Sequence, residues 1–313
     1  MHSFFVDPGC FDVVVVQGQD AERFLQGQLT CDVENLTDST QSYGTCCNNK
    51  GRVIAAFLIM HVGESFYLCM SKGVGPLFVG ALRKFLPFYK CSMALADDRG
   101  IVALHGDAVK AAMTLANMPS GDYRIGQVIP TQDGWFCLID GAEPRALWYC
   151  KTNSDEIAGI LRYVPQGNEL EMWEAMGMLA GHFPFNASDV ERHTPQELHY
   201  DQNGYVSFSK GCYTGQEIVA RMHYRGKHKK QLFLVVLRPA DTSIKTLSLL
   251  DVDGSSLGDS LVIRKIDSLL LALVELPSGF VASAEGLRSS NGAVVAVHSF
   301  NRTVIQLATL ASQ

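Results

Sequence analysis

The pattern of apolar segments changes once along this chain, near residues 228–240. Before this point, short apolar runs typical of strands alternate with segments that carry apolar residues at helical spacing. After it, only short apolar runs remain, and Gly, Asp, Ser and Pro separate them. A chain of 313 residues is long enough for two or three domains. The pattern predicts an α+β fold, with mixed helices and strands over residues 1–230 and a C-terminal β-barrel over residues 231–313.

The region 1–230 is expected to contain two interleaved α+β subdomains, with approximate splits near residues 40–50 and 100–165. A hairpin is predicted from Tyr43–Cys47 and Val53–Val62, because the four residues between them favour a turn. Helices are predicted at Asp20–Leu29, Val74–Leu86, Asp107–Asn117, Asp155–Tyr163 and Glu169–Leu179. Barrel strands are predicted at Leu232–Leu237, Thr246–Leu250, Ser260–Lys265, Leu269–Leu276, Ala293–His298 and Val304–Leu310.

Composition and cysteine spacing exclude several classes of protein. The longest apolar runs, Val13–Val16 and Leu269–Leu273, fall far short of the roughly 20 residues that cross a bilayer. The first residues lack a basic segment followed by a long apolar one, so we expect a cytoplasmic protein with no membrane partner. The nine cysteines include no CxxC pair and no Cys/His series at metal spacing, so no metal site is predicted.

The stretch 210–217, which reads KGCYTGQE, places Cys212 between glycines, beside Lys210 and at the predicted start of a helix. Thr214 is expected to cap that helix, with Glu217 completing a capping box. Lys210 and the positive end of the helix would then stabilise the thiolate of Cys212. The alternative is an unreactive cysteine in a tight turn.

A basic segment follows this stretch. Residues 210–230 contain six Lys or Arg, Arg221 and Arg225 among them, and one acid, although the whole chain carries a net charge of −6. Such a patch suits RNA phosphates, an acidic protein or a polyglutamate tail. We favour a solvated or partner-facing surface over direct binding of tRNA.

The string KGCYTGQE, followed by AR, RG and a basic run, resembles the signature of the YgfZ family. Further blocks agree in order, and the likeness spans roughly residues 11–237. They are FLQGQLT at 24–30 with Asp32, CNNKGR at 47–52, Trp173 with Ala180-Gly181, and TPQEL at 194–198 with Asp201.

The YgfZ family comprises folate-binding proteins of iron–sulfur cluster assembly and repair, related to the aminomethyltransferase (T-protein) of glycine cleavage. The resemblance implies a two-part folate-binding region and a C-terminal barrel, arranged around a central hole. It also implies tetrahydrofolate or a one-carbon derivative as cofactor, iron–sulfur client or carrier proteins as partners, and an indirect effect on tRNA modification. Cys212 would be the reactive thiol, with Arg221 and Arg225 at the pocket mouth.

The resemblance also assigns folate-binding residues. Phe11 and Trp173 would stack on the pterin ring; the alternative is that both are core residues. Gln26 and Gln28 would read the edge of the pterin, or would serve as caps and turn residues. Lys50 and Arg52 would receive the glutamate tail, or lie at a solvated hairpin tip. These six residues and the 210–217 stretch (Lys210, Gly211, Cys212, Tyr213, Thr214, Gly215, Gln216 and Glu217) form the candidate site.

Two departures from the family pattern bear on activity. Ala55 and Ala56 stand where T-proteins carry acidic residues, and a methyl group cannot relay a proton. Leu179 stands where relatives often carry glutamate, which weakens or reshapes the folate site. We therefore expect an accessory protein rather than a T-protein aminomethyltransferase. A folate-dependent one-carbon transferase and a tRNA- or partner-binding module are the alternatives.

Overall fold

The computed structural model describes residues 3–118, 121–132, 134–151, 159, 169–226, 229–239, 244–281, 284–285, 287–289, 292–301 and 305–306. The described residues form two antiparallel sheets, a closed barrel and the helices that connect them. The predicted α+β class with a C-terminal barrel is confirmed. The predicted helix Asp155–Tyr163 lies outside the described residues, except for Gly159.

The first sheet contains the predicted hairpin. Tyr43 pairs with Leu58 and Cys47 with Val53, so Asn48–Arg52 forms the connection between the two strands. The strands, in sheet order, are β3 (Gln41–Cys47), β4 (Val53–Val62), β5 (Ser65–Ser71), β2 (Phe11–Gln17) and β6 (Ser92–Leu95).

The second sheet combines an N-terminal strand with later ones. The chain starts in this sheet, crosses to the first sheet, and then returns. The strands, in sheet order, are β1 (Phe4–Val6), β7 (Arg99–His105), β10 (Arg145–Lys151), β9 (Gly134–Ile139) and β8 (Val128–Pro130).

The helices cover the sheets and join them to the barrel. They are α1 (Ala21–Gln26), α2 (Val74–Leu82), α3 (Asp107–Leu115), α4 (Glu169–Leu179) and α5 (Gln216–Arg225). The predicted helix 74–86 is shorter than expected, because residues Arg83–Phe88 form a 3-10 turn that contains Pro87. A proline has no N–H to donate within an α-helix. No helix within the described ranges has the length and apolar character needed to cross a bilayer.

The barrel closes through strands β11 (Lys230–Pro239), β14 (Leu269–Pro277), β13 (Ser256–Ile266), β12 (Ser248–Leu250), β15 (Arg288–Ser289) and β16 (Gly292–Ser299), in that order. The short strand β15 was not predicted, and it bridges β12 and β16. A closed barrel leaves no unpaired edge, so even a two-residue strand is retained. Most of the predicted strand Val304–Leu310 lies outside the described residues.

Helix α4 lies at the junction of the two sheets and the barrel. Its Trp173 packs into the apolar core between the sheets, which also contains Leu58 and Leu147. On its other side, Glu174 pairs with Arg264 of β13. These contacts on both sides fix the position of the helix between the sheets and the barrel.

Candidate functional site

A cavity that is partly open to solvent lies between the two sheets, and we call it the inter-sheet cavity. Phe11 of β2 and Trp173 of α4 both line it, so the structure brings the two predicted stacking residues together. Apolar walls with a few polar groups are typical of small-molecule sites. Other lining residues include Tyr43, Ala56, Leu58, Arg145, Leu147, Glu174, His182, Tyr200 and Tyr205.

Arg145, at the start of β10, forms a buried cationic part of the cavity wall, with 4% of its surface exposed. Its Nη1 donates to the main-chain oxygen of Asp140, and its Nη2 donates to that of Trp173, both at 3.2 Å. The guanidinium carbon lies 4.0 Å from the centroid of the Trp173 ring, which is a cation–π contact. Burial lowers the pKa of Arg145 to about 10, so the group is charged at neutral pH.

A hydrogen-bonded chain of polar side chains lies beside Arg145. The Tyr43 hydroxyl donates to Asp140 Oδ1 at 2.6 Å, and His182 Nε2 lies 3.0 Å from the same oxygen. His182 Nδ1 is 3.0 Å from the hydroxyl of Tyr205. If Asp140 is ionised, its carboxylate can only accept hydrogen bonds. A neutral His182 then donates to it through Nε2 and accepts a hydrogen bond from the Tyr205 hydroxyl at Nδ1. Asp140 and His182 form an acid–base pair in this chain, and His182 lines the cavity.

Ala55 and Ala56, which replace the acidic residues of T-proteins, differ in their positions relative to the cavity. Ala56 lines the cavity, whereas Ala55 is fully buried in the core. A carboxylate does reach the wall from α4, since Glu174 lines the cavity, but it is paired with Arg264. Leu179 is buried in the core.

Cys212 lies in a loop that is anchored at both ends and leaves its side chain exposed. Thr214 N donates to the carbonyl of Gly27, and Gly215 packs against the carbonyl of Asn48 at the hairpin tip. Cys212 is not among the residues that line the inter-sheet cavity. The thiol and the cavity are therefore separate features of the surface.

The predicted capping box is wrong. Helix α5 begins at Gln216, and its N-cap is Gly215, which has a left-handed φ of 86° and makes no side-chain cap. The Thr214 hydroxyl instead donates to Gln28 Oε1 at 3.0 Å. Because the backbone turns at the glycine, Thr214 and Glu217 lie one position too early for the predicted capping pattern.

Lys210 holds the loop against helix α1. Its ammonium donates three hydrogen bonds, to the main-chain oxygens of Gln26, Leu29 and Cys31, at 2.7 to 2.8 Å. Burial lowers the pKa of Lys210 to about 8, so the ammonium remains mostly protonated at neutral pH. All three of its N–H bonds are used on the main chain. The effect of Lys210 on the Cys212 thiolate remains a prediction.

The side-chain amides of Gln26 and Gln28 form hydrogen bonds within the protein. The side-chain amide of Gln26 donates to Asp32 Oδ1, and its oxygen accepts from the main-chain N–H of Val33. Gln28 accepts from Thr214, as described above. Neither glutamine lines the inter-sheet cavity. The structure therefore separates these two predicted pterin-reading residues from Phe11 and Trp173.

Lys50 and Arg52 lie at the tip of the β3–β4 hairpin. Lys50 is exposed, whereas Arg52 donates to the carbonyl of Arg192 and forms an ion pair with Glu197 at 3.0 Å. Neither residue lines the inter-sheet cavity. Their predicted role in holding a glutamate tail stays a prediction.

The basic segment forms part of the surface next to the cysteine loop. Arg221 and Arg225 are exposed on α5, and Tyr224 between them is 69% exposed. His223 stacks on Phe208 at 3.8 Å and approaches Asp201 Oδ2 at 3.3 Å. Lys227 lies outside the described residues.

Sequence reasoning missed the polar side of the cavity, namely Tyr43, Arg145, His182 and Tyr205, and Asp140 behind it. One local signal was present, because Arg145 precedes a strand of otherwise apolar residues, ALWYC, in which a charge is out of place. A buried charge needs compensating partners and therefore indicates a site. The other four residues carry no comparable signal in the sequence.

The left-handed turn at Gly215 provides a test of the loop geometry. A Cβ at this position would lie 2.4 Å from the Asn48 carbonyl oxygen. We expect Gly215→Ala to destabilise the protein by about 1–3 kcal/mol, through backbone strain and this clash. The control is Gly211→Ala, where a Cβ meets nothing within 4 Å. Urea unfolding of the two variants checks the prediction, and equal stabilities would contradict it.

Comparisons with known proteins agree with this architecture. Residues 2–121 match the family model of the GCVT N-terminal domain. The tRNA-modifying protein YgfZ of Escherichia coli O157:H7 (strain EC4115 / EHEC) is 28% identical over 225 residues, which cover 71% of this chain and 68% of that protein. The protein of the same name from Shigella boydii serotype 4 (strain Sb227) matches with the same identity and coverage.

A solved structure extends the comparison over almost the whole chain. The glycine cleavage system aminomethyltransferase T from Bartonella henselae superposes with a TM-score of 0.72, covering 97% of this chain and 86% of that one. At 16% sequence identity, this match concerns the fold alone. Taken together, the matches confirm the resemblance carried by the cysteine-loop motif: the chain is similar in sequence to the YgfZ proteins, contains a GCVT N-terminal domain and has the fold of the glycine cleavage aminomethyltransferase.

Proposed function

We propose that this protein binds tetrahydrofolate, or a one-carbon derivative of it, in the inter-sheet cavity. We further propose that it uses the Cys212 thiol to support the assembly or repair of iron–sulfur clusters in client enzymes. Its effect on tRNA modification is then indirect, through enzymes that depend on such clusters. Folate and iron–sulfur client or carrier proteins are the proposed partners.

The inter-sheet cavity is the observation that carries the folate part of the proposal. Phe11, Trp173 and Tyr43 offer aromatic surface to a flat ring, with one face of Trp173 already covered by the guanidinium of Arg145. The buried guanidinium of Arg145 supplies a donor for the ring edge. Aromatic surface beside a polar donor suits a pterin, which these residues would hold between the two sheets.

The contrast among the nine cysteines supports the role of Cys212. Burial raises the pKa of Cys31, Cys47 and Cys69 to about 12, which keeps these thiols protonated and unreactive. Cys212 is the exposed cysteine of the chain; the others are buried or half-buried. A thiol that is exposed on an anchored loop can meet a partner protein or its cluster.

Titration of the purified protein with tetrahydrofolate under anaerobic conditions tests the folate part. We expect saturable binding, and Trp173→Leu should weaken it about tenfold, since lost ring contact is worth ~1–2 kcal/mol and 1.4 kcal/mol is a factor of ten. Trp173→Phe keeps an aromatic face and should lose less affinity. Calorimetry measures both.

Trp135 provides a matched control, because it is a half-buried tryptophan outside the inter-sheet cavity. Trp135→Leu should leave the affinity for tetrahydrofolate unchanged. Absence of binding to the native protein, or equal losses in Trp173→Leu and Trp135→Leu, would contradict the assignment of this cavity.

The Asp140–His182 pair favours one second candidate, a folate-dependent one-carbon transferase. An imidazole held by a carboxylate in a cavity wall is suited to moving protons. Consumption of methylene-tetrahydrofolate in the presence of candidate amines would support this activity, provided that His182→Asn abolishes it. Consumption no faster than the protein-free background would rule it out.

A further inference from the structure

Arg145 carries a buried charge with unused hydrogen-bonding capacity. Among the described residues, its Nε has no hydrogen-bond partner, and no carboxylate forms an ion pair with its guanidinium. The nearby carboxylate of Asp140 accepts from Tyr43 and lies within hydrogen-bonding distance of His182. The Nε atom is sealed from the cavity, so the donors that Arg145 can offer to a ligand there are the second N–H groups of Nη1 and Nη2.

One glycine leaves space for this arginine, and a second lies in contact with it. A Cβ at Gly141 would lie 2.6 Å from Arg145 Cδ, so a side chain there would displace the arginine stem. A Cβ at Gly177 of α4 would lie 3.6 Å from Nη2, within ordinary contact. The guanidinium is thus held between β10 and α4, with two of its nitrogens fixed by the main chain and its face on Trp173.

We propose that Arg145 is the specificity-determining residue of the inter-sheet cavity, and that it selects a flat heteroaromatic ligand with an oxygen acceptor on its ring. An arginine only donates, so a ring carbonyl completes its hydrogen bonds, whereas a ring amino group at the same place opposes them. This inference rests on the proposed binding of a pterin, and it adds which edge of the ring the protein reads and with which residue.

A matched pair of pteridines tests the proposal on the native protein. 6-Hydroxymethylpterin carries an oxo group at ring position 4, and 2,4-diamino-6-hydroxymethylpteridine carries an amino group there; the rest of their substituents agree. Calorimetric titration should show the oxo compound binding roughly tenfold to a hundredfold more tightly, as expected when a buried donor is left unpaired.

Arg145→Gln should reduce this preference to a factor near one, mainly by weakening binding of the oxo compound. The control is Arg99→Gln, which also removes a guanidinium stacked on a tryptophan, 4.7 Å from the Trp135 ring and outside the cavity. It should keep the full preference. If Arg145→Gln does not fold, the comparison of the two ligands on the native protein still tests the proposal, because equal binding would overturn it.

The outcomes separate this inference from the proposed function. Equal binding of both pteridines, or a preference that survives in Arg145→Gln, would overturn the role of Arg145 while leaving pterin binding intact. Failure of both compounds to bind would overturn the proposed folate site and this inference with it. Folic acid and aminopterin are the same pair of rings with a glutamate tail. If only these two compounds lose affinity in Arg145→Gln, the partner of Arg145 is a carboxylate of the tail. That result would also contradict the proposal.

Discussion

Replacing Cys212 with alanine is expected to abolish the cellular function of this protein while leaving its fold and its folate binding intact. The side chain is exposed, so its removal should change the free energy of unfolding by less than about 0.5 kcal/mol. A thiolate is a strong nucleophile and a soft metal ligand, and neither alanine nor serine replaces it. Activity of an iron–sulfur enzyme, measured in a bacterial strain that lacks its own relative of this protein, should fall to the level of the empty strain.

Cys91→Ala is the control for this experiment. Cys91 is a half-buried thiol just before β6, distant in sequence from the cysteine loop. It should restore enzyme activity fully. Full restoration by Cys212→Ala would remove the thiol from the proposed function. Loss of tetrahydrofolate binding in the same variant would instead show that the loop and the cavity act as one site.

Among single substitutions in the cysteine loop, Lys210→Met is expected to lower the free energy of unfolding the most. The variant keeps most of the side-chain volume but leaves the oxygens of Gln26, Leu29 and Cys31 without their shared donor. Loss of a buried, charged donor of several hydrogen bonds costs about 3–5 kcal/mol. Because these bonds hold the loop, the variant should also lose the Cys212-dependent function.

Urea unfolding measures this loss, and limited proteolysis locates it. Cleavage within residues 205–215 should become faster than in the native protein, since the loop loses its anchor on α1. Lys50→Met is the control for stability, because Lys50 is exposed at the hairpin tip, and it should change the free energy of unfolding by less than about 0.5 kcal/mol. Similar stabilities of the two variants would show that the three hydrogen bonds contribute little.

Features that depend on neighbouring residues were predictable. The β3–β4 hairpin follows from two apolar runs around a turn-rich segment, and five of the described barrel strands, all but β15, follow from the spacing of apolar runs. The cysteine loop was found because its glycines, lysine and thiol are contiguous in the chain. The helix cap within this loop was wrong by one residue, because the left-handed conformation of Gly215 moved the start of α5.

The grouping of the candidate residues was not predictable to the same extent. Phe11 and Trp173 do line one cavity, but the Gln26 amide binds Asp32 and Val33, and that of Gln28 binds Thr214 of the cysteine loop. A glutamine in a sequence does not reveal whether its amide faces a ligand or the main chain. That depends on which donors and acceptors the fold brings to it.

By itself, the sequence determined the class of fold, a mixed α+β region followed by a barrel, and it indicated the loop that contains Cys212. These depend on the periodicity of apolar residues and on contiguous turn chemistry, which act over a few residues. Only the tertiary structure decided that Arg145, Trp173 and His182 line one cavity, with Asp140 bonded to His182, and that Lys210 holds the loop through three carbonyls. Those contacts join positions up to 184 residues apart, and their partners are set by the packing of sheets and helices, which no local pattern encodes.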